Sequence, residues 1–317
     1  MVSELNFAEV LDGIPVAVRP GLAEVLNSDD FSGVISAAQT NRLVASGLSH
    51  IDELMLHLLP AAERYSTPPI SDFHVGSVVL GASGNLYFGT NMEFEGLPLN
   101  FSVHGEQAAI VNARSHQETG VQALAIGGLP CGHCRQFMIE LGSPKSVEII
   151  VPDGCHSLLE ALPEPFTPDS LGNSMGLLSS QHHSLGSAEI AGDAVEQGAL
   201  DAANLSYAPY SQSYSGVALR LSSGAIISGS YVESVAFNPS LSPLHVALIQ
   251  LNLSRHRCER IERAVLVEVP GAQISQRSTT AVLLGSVGDI TLDTIYAQPS
   301  DSSDDLPATG QRTTCRR

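Results

Sequence analysis

The sequence has little positive charge. Its 317 residues contain 15 Lys and Arg against 33 Asp and Glu, which gives a formal net charge of −18. A negative field of this size repels the phosphate backbones of DNA and RNA. We therefore expect no nucleic-acid polymer among the partners, whereas a small neutral ligand is compatible with this charge.

Long apolar runs and a secretion signal are also missing. No stretch approaches the roughly 18 apolar residues of a membrane-spanning helix, and no basic start followed by an apolar core opens the chain. Cysteine is scarce and odd in number, at five residues, which favours reduced thiols over disulfides. These absences predict a cytoplasmic protein without a membrane partner. Apolar residues still make up 43% of the chain, enough for a buried core.

Hydrophobic periodicity predicts alternating helices and strands in the first half of the chain. Helices are expected at about 49–65, 104–116 and 131–141, and strands at about 75–82, 85–89, 122–127 and 146–151. An α-β-β-α-β-α-β order of this kind favours helices packed around one sheet.

The pattern of the first half returns in the second half. The matched residues lie 140 positions apart and are Gly84 with Gly224, Gly89 with Gly229, and Glu93 with Glu233. Such self-similarity indicates a duplicated structural unit.

Beyond these residues, a one-residue deletion aligns Ala108 with Ala247. That register sets Pro243 opposite His104 and His245 opposite Glu106. The second unit is therefore interpreted as a copy that kept its fold and lost its polar site residues.

Two short motifs carry the chemistry. His104-Gly105-Glu106 stands 27 residues before Cys131-Gly132-His133-Cys134. A Cys-x-x-Cys pair alone is compatible with a structural zinc site or a redox pair. Catalytic zinc takes three protein ligands and leaves a fourth position to water, which one imidazole and two thiolates satisfy.

Both motifs fall at predicted helix N-termini, where the helix dipole favours a thiolate over a thiol. We therefore predict one Zn²⁺ per chain, held by His104, Cys131 and Cys134. Glu106 can reach the water on the metal without being a ligand itself.

His-x-Glu followed by Pro-Cys-x-x-Cys resembles the signature of zinc-dependent nucleoside and nucleobase deaminases. The longer runs at 88–94, 104–107, 130–138, 208–211 and 236–239 look like the long, homodimeric cytidine deaminases. The similarity covers about 50–290. It implies a three-layer α/β/α deaminase-like fold with a mixed sheet, present as two tandem copies of which the second is degenerate.

Composition and periodicity, together with the resemblance, predict a division of the chain into five segments. They are an N-terminal helical segment (1–48), a catalytic zinc domain (49–162), a linker (163–195), a degenerate deaminase-like domain (196–297) and a disordered tail (298–317).

The implied activity is hydrolytic deamination of cytidine and deoxycytidine to uridine and deoxyuridine plus ammonia, a reaction of pyrimidine salvage. Zinc-bound hydroxide would attack C4 of the base. Glu106 would take the water's proton, give one to N3 and help to protonate the leaving amine. No organic cofactor is implied, and the assembly would be a homodimer.

Further roles follow from the resemblance alone. Asn91 and Glu93 would hold the ribose 3′-hydroxyl, and Phe73 would pack against the pyrimidine. The backbone N–H of Gly105 and the carbonyl of Leu129 would contact the base edge and the departing amine. Phe166 resembles a ring that enters the neighbouring subunit's site. The family usually carries Ala at Gly105 and a small polar residue at Leu129.

Two other functions stay open at this point. One is a catalytically inactive deaminase-like scaffold that keeps zinc for structure, against which the intact Glu106 argues. The other is a cytosine deaminase acting on RNA or DNA, which the acidic charge disfavours.

Overall fold

The structure, a computed structural model, describes residue 5 and residues 7–142, 144–190 and 192–299. Its helices are α1 (Ala8–Asp12), α2 (Arg19–Leu26), α3 (Ala37–Ala45), α4 (Ile51–Glu63), α5 (Gly105–Ser115), α6 (Gly132–Met138), α7 (Leu158–Ala161), α8 (Ala194–Asn204), α9 (Pro243–Leu253) and α10 (Arg277–Val287). The predicted disordered tail lies outside the described residues from position 300 onward.

Strands fall into two main sheets and one short pair. They are β1 (Val34–Ile35), β2 (Gly76–Gly81), β3 (Leu86–Thr90), β4 (Val121–Ile126), β5 (Glu148–Val151), β6 (Gly154–Ser157), β7 (Leu185–Gly186), β8 (Ser215–Leu221), β9 (Ile226–Ser230), β10 (Ile261–Glu268), β11 (Leu292–Tyr296) and β12 (Gln298–Pro299).

The first sheet has the strand order β1-β3-β2-β4-β5-β6. Strands β4 and β5 run parallel and the other neighbours run antiparallel, so the sheet is mixed. Three predicted helices and four predicted strands are confirmed in place. The edge strands β1 and β6 were not predicted.

Glycines show on which face each helix packs. A Cβ on Gly76 would lie 2.3 Å from the carbonyl oxygen of Leu59 in α4, and one on Gly89 would lie 2.1 Å from the amide of Ala109 in α5. Ser77 pairs with Gly89 across β2 and β3, so Gly76 and Gly89 face opposite sides of the sheet. Helices α4 and α5 therefore cover opposite faces, which confirms the three layers.

The second sheet, β11-β10-β8-β9, repeats this arrangement with β10 and β11 parallel. A Cβ on Gly216 would lie 2.2 Å from the amide of Ala203 in α8, and one on Gly229 would lie 2.2 Å from the amide of Ala247 in α9. The chain thus contains two tandem copies of one fold, as predicted.

The predicted register between the copies is wrong by one residue in its second part. A Cβ on Gly89 would meet the carbonyl of Gly105, whereas one on Gly229 would meet the carbonyl of Pro243. Pro243 is therefore the counterpart of Gly105 and not of His104. The deletion in the second copy is two residues long.

The helix caps agree with this correction. His104 is the N-cap of α5 and Ser242 is the N-cap of α9. His245 consequently corresponds to Gln107, not to Glu106. The second copy places a serine hydroxyl where the first copy places an imidazole.

The two copies share one hydrophobic core, whose buried residues come from both halves. Side-chain hydrogen bonds also join them. The amide of Gln107 donates to the carbonyl of Pro239 at 2.8 Å, and Asn252 donates to the carbonyl of Tyr65 at 2.7 Å. The two folds are therefore parts of one packed body.

A buried carboxylate adds a further tie between the copies. Glu140 is 0% exposed and accepts hydrogen bonds from the hydroxyls of Tyr207 and Tyr210, both at 2.9 Å, and from the amide of Val235 at 2.6 Å. All three donors belong to the second copy. Burial raises the pKa of Glu140, although these hydrogen bonds act in the opposite direction.

Within the described residues, no helix combines the length and the apolar character needed to cross a membrane.

Candidate active site

A cleft of about 690 Å³ opens at one end of the first sheet, where β3 and β4 end and β2 and α5 begin. Most of the residues predicted for the site meet here. The predicted residues that line the cleft are Phe73, Asn91, Glu93, His104, Gly105, Glu106, Leu129 and Cys131.

The three predicted metal ligands converge at this cleft, where His104 and Cys131 line the wall and Cys134 is buried behind it. The Nδ1 atom of His104 lies 3.5 Å from Sγ of Cys131 and 3.3 Å from Sγ of Cys134, and the two sulfurs are 3.7 Å apart. Tetrahedral zinc, with Zn–S of about 2.3 Å and Zn–N of about 2.0–2.1 Å, would separate its ligands by about 3.8 Å for S–S and about 3.5–3.6 Å for N–S. The observed triangle fits this metal.

Backbone geometry places these ligands. His104 and Cys131 are the extended N-cap residues of α5 and α6, and Cys134 lies in the first turn of α6. The sulfurs of Cys131 and Cys134 are hydrogen-bonded to each other, and this contact, helped by the N–H groups of His133 and Cys134, lowers the pKa of Cys131 to about 4 and raises that of Cys134. The predicted helix N-terminus is confirmed at Cys131, where backbone N–H groups favour the thiolate, whereas the pKa of Cys134 moves in the other direction.

Glu106 lies in the first turn of α5 and is only 4% exposed. Burial raises the pKa of its carboxyl, against the lowering effects of its own amide, the Cys134 thiol and the His104 imidazole. It stands beside the metal-binding group His104, Cys131 and Cys134 without being part of it. The carboxyl is thus close to the metal position and shielded from bulk water.

Asn91 and Glu93 follow β3 on one side of the cleft. The Asn91 side chain accepts from the amide of Val75 at 3.0 Å and donates to the carbonyl of Phe73 at 2.8 Å. Glu93 accepts from the amides of Ile70 and Ser71, both at 2.9 Å. Burial raises the pKa of Glu93, but these bonds and that of the Ser71 hydroxyl outweigh it and lower the pKa.

Comparison with known proteins agrees with this geometry. A family model described as "Cytidine and deoxycytidylate deaminase zinc-binding region" matches residues 49–150, and a second model with the same description matches residues 158–281.

The cytidine deaminase of Vibrio atlanticus (strain LGP32) is 44% identical over 279 residues, which cover 87% of this chain and 94% of that protein. The cytidine deaminase of Yersinia pestis (strain Pestoides F) is 43% identical over 277 residues, covering 87% and 93%. The chain belongs to the cytidine deaminase family. The metal of this family is Zn²⁺, and His104, Cys131 and Cys134 are the group in this chain that can hold it.

Among solved structures, the cytidine deaminase from Mycobacterium tuberculosis is 26% identical, with a TM-score of 0.34. The match covers 36% of this chain and 95% of that chain.

The outer wall of this cytidine deaminase cleft is apolar and open. Phe73 is 69% exposed and Leu129 is 50% exposed. Phe73 follows Asp72, whose φ of 53° is in the left-handed region and turns the segment toward the cleft. Gly105 is buried, and a Cβ there would lie 3.0 Å from Cγ1 of Val75.

Phe166 is not among the residues that line this cleft. Its ring is 47% exposed, and its carbonyl accepts from the Gln136 side chain at 2.7 Å. Within one chain, the structure therefore does not bring Phe166 to the predicted site.

Ser77 is a site residue that the sequence analysis missed. Its hydroxyl is 0% exposed and donates to the carbonyl of Gly105 at 2.7 Å. This bond ties β2 to the first turn of α5, next to His104 and Glu106. The sequence signal that could have identified Ser77 is a single serine in an otherwise apolar strand.

Proposed function

We propose that this chain deaminates cytidine and deoxycytidine hydrolytically, giving uridine or deoxyuridine and ammonia. The observation that carries the proposal is the buried carboxyl of Glu106 beside the His104, Cys131 and Cys134 triangle, in the wall of an open cleft. A proton carrier and a metal position thus meet where a small molecule can enter.

In this mechanism His104, Cys131 and Cys134 hold the zinc. When bound, zinc supplies a water molecule whose pKa is lowered to about 7. Glu106 takes a proton from the water that adds to C4 and delivers one to N3. The same carboxylate would then take the remaining proton from the hydroxyl on C4 and pass it to the amine, which leaves as ammonia when the C4–N4 bond breaks and C4=O forms.

Substrate orientation is assigned to the groups around the metal position. The carboxylate of Glu93 and the amide of Asn91 receive the ribose 3′-hydroxyl, and Phe73 packs against the base. The Gly105 N–H and the Leu129 carbonyl contact the base edge and the amine. The lowered pKa of Glu93 supports this role, because a carboxylate is the better acceptor for a hydroxyl.

We also propose a homodimer in which Phe166 enters the partner's cleft. An exposed Phe166 that does not line its own chain's cleft supports this assignment. Other exposed apolar side chains, which a partner would cover, include Leu99 and Phe237 at 71% and 65% exposure.

A single preparation tests the activity. The purified protein is analysed for zinc, and the ultraviolet absorbance of cytidine, deoxycytidine and single-stranded DNA or RNA is followed. We expect one zinc per chain and turnover of the two nucleosides alone. Two zinc ions per chain would contradict the loss of ligands from the second copy. Zinc-loaded protein without nucleoside turnover would favour the inactive scaffold, and turnover of polynucleotides would favour the other alternative.

A further inference from the structure

Two consecutive glycines, Gly127 and Gly128, form part of the cleft wall between β4 and Cys131. Both are exposed. Neither has φ in the left-handed region, and no atom lies within 4 Å of the Cβ that another residue would carry there. The backbone at these positions therefore has no need of glycine.

Other glycines around the cleft differ in this respect. A Cβ on Gly76 would lie 2.3 Å from the carbonyl of Leu59, and one on Gly105 would lie 3.0 Å from Val75. Close packing against backbone excludes a side chain at Gly76, and Val75 leaves little room for one at Gly105. At Gly127 and Gly128 the missing side chains leave open space in the wall of the cleft.

Sheet order locates this space relative to the substrate. Strand β2 lies between β3 and β4, so the end of β4 is about 10 Å from the end of β3, at about 4.8 Å per strand. Asn91 and Glu93 follow β3. The two glycines therefore stand across the cleft from the proposed ribose contacts.

The neighbouring contacts indicate which substrate atom faces the glycines. In the proposed function, Gly105 and Glu106 approach the N3 edge of the base, and the Leu129 carbonyl approaches the amine on C4. Gly127 and Gly128 directly precede Leu129. If N3 lies on the Gly105 side of C4, the ring atom on the other side is C5, and we assign it to these two residues of the cleft wall.

We infer that Gly127 and Gly128 set the substrate range, so that this enzyme accepts cytidines carrying a C5 substituent larger than methyl. The inference rests on the proposed function and deepens it. The added group would occupy the space beside the glycines, while C4, N3 and the ribose keep their contacts.

The test compares kcat/KM for cytidine, 5-ethylcytidine and 5-propynylcytidine in the zinc-loaded wild type and in filled variants, with 5′-O-methylcytidine as a ribose-modified probe. We expect the wild type to process the C5-substituted nucleosides within about tenfold of cytidine. In Gly128→Leu, kcat/KM for 5-propynylcytidine divided by kcat/KM for cytidine should fall at least tenfold. One extra methylene in a pocket changes discrimination between substrates by about 10–200-fold. Gly127→Ala is a milder variant that should lower the same ratio by a smaller factor.

Gly285→Leu is the matched control. Gly285 is an exposed glycine of α10 with no atom within 4 Å of a Cβ position, and it does not line the cleft. Its ratio of kcat/KM values for 5-propynylcytidine and cytidine should equal that of the wild type. Zinc content and melting temperature confirm that each variant is folded.

Several results would overturn the inference. One is wild-type turnover of cytidine with rejection of both C5 analogues by more than a hundredfold. Another is an unchanged ratio in both filled variants. A fall confined to 5′-O-methylcytidine would place the space at the ribose and contradict the C5 assignment. No turnover of cytidine itself would contradict the proposed function, and this inference with it.

Discussion

Glu106 occupies a position where a carboxylate is costly to hold. It is 4% exposed, and burial raises its pKa. Among the described residues, no Lys or Arg lies within ion-pair distance of it. Because a buried carboxyl without a basic partner destabilises a fold, its presence here points to a use in chemistry.

The replacement Glu106→Gln tests this role. The amide keeps the size of the side chain but cannot carry the proton. Zinc should stay near one per chain, and turnover of cytidine should fall by orders of magnitude, because general acid–base catalysis contributes about 10²–10⁴-fold. Elemental analysis and steady-state kinetics measure the two effects.

Glu95→Gln is the control, since Glu95 is exposed on the same loop as Glu93. It should keep both zinc and turnover. Loss of zinc from Glu106→Gln would show that the carboxyl supports the metal site instead of moving protons. Normal turnover would assign the proton to another group.

Ser77 supports the same helix from the sheet. Ser77→Ala removes its hydrogen bond to the Gly105 carbonyl, and we expect the free energy of unfolding to fall by about 0.5–1.5 kcal/mol. Urea denaturation measures this change. Ser180→Ala alters an exposed serine and should leave stability unchanged. Equal stability of the two variants would show that the Ser77 bond contributes nothing net.

Among the elements, those that surround the site were predictable from sequence. Helix α4 carries regularly spaced apolar residues, and α5 and α6 begin at the motif residues themselves. Strands β1 and β6 were not predictable in this way. β1 has two residues and β6 is Gly-Cys-His-Ser, so neither has an apolar alternation, and only pairing with β3 and β5 makes them strands.

The register error has a local cause. At a shift of 139 the sequence matches Ala108 with Ala247, whereas the structure pairs Ala109 with Ala247. Consecutive alanines make both registers plausible from composition alone. The N-cap decides between them, and Ser242 gave that signal because serine is a preferred cap.

Helix α9 begins with a buried histidine whose titration affects stability. The Nε2 atom of His245 lies 2.9 Å from the carbonyl of Phe101, which can only accept, so the neutral ring carries its proton there. Nδ1 then accepts from the Ser242 hydroxyl at 2.8 Å. Burial lowers the pKa of His245 to about 4 from an ordinary 6.5.

This shift predicts acid sensitivity with a defined sign. Between pH 6.5 and about 4 the unfolded chain binds a proton at His245 that the folded chain does not. Stability is therefore full above pH 6.5 and falls as the pH is lowered through this window, by about 3 kcal/mol at most. In His245→Gln this contribution disappears, so the slope of unfolding free energy against pH should be smaller than in the wild type.

Urea denaturation at pH 4.5, 5.5 and 6.5 measures both slopes. The exposed His182→Gln variant controls for the loss of one histidine and should keep the wild-type slope. Equal slopes for wild type and His245→Gln would mean that His245 titrates normally in the folded protein.

For the whole molecule, the proposed dimer makes each site depend on two chains. An inactive Glu106→Ala chain is mixed with a Phe166→Ala chain under conditions of subunit exchange. If Phe166 acts across the interface, a mixed dimer contains one site with both Glu106 and a partner's Phe166, and up to half of the sites in mixed dimers regain turnover. Kinetics before and after exchange measure the gain.

Native mass spectrometry of differently tagged chains verifies the exchange. A Leu171→Ala chain, altered at another exposed apolar residue beyond Phe166, is the matched control. Exchange without a gain, from two strongly impaired parents, would count against a shared site.

The buried Glu140 has a consequence for how the duplicated chain can change over time. Its three hydrogen-bond donors all belong to the second copy, so substitutions at Tyr207, Tyr210 or around Val235 harm the first copy as well. The metal-ligand positions of the second copy carried no such restraint, and Ser242 now stands where His104 stands in the first. Removing the second half would strip the buried Glu140 of all three donors, so the half without metal ligands is as necessary to the fold as the half that has them.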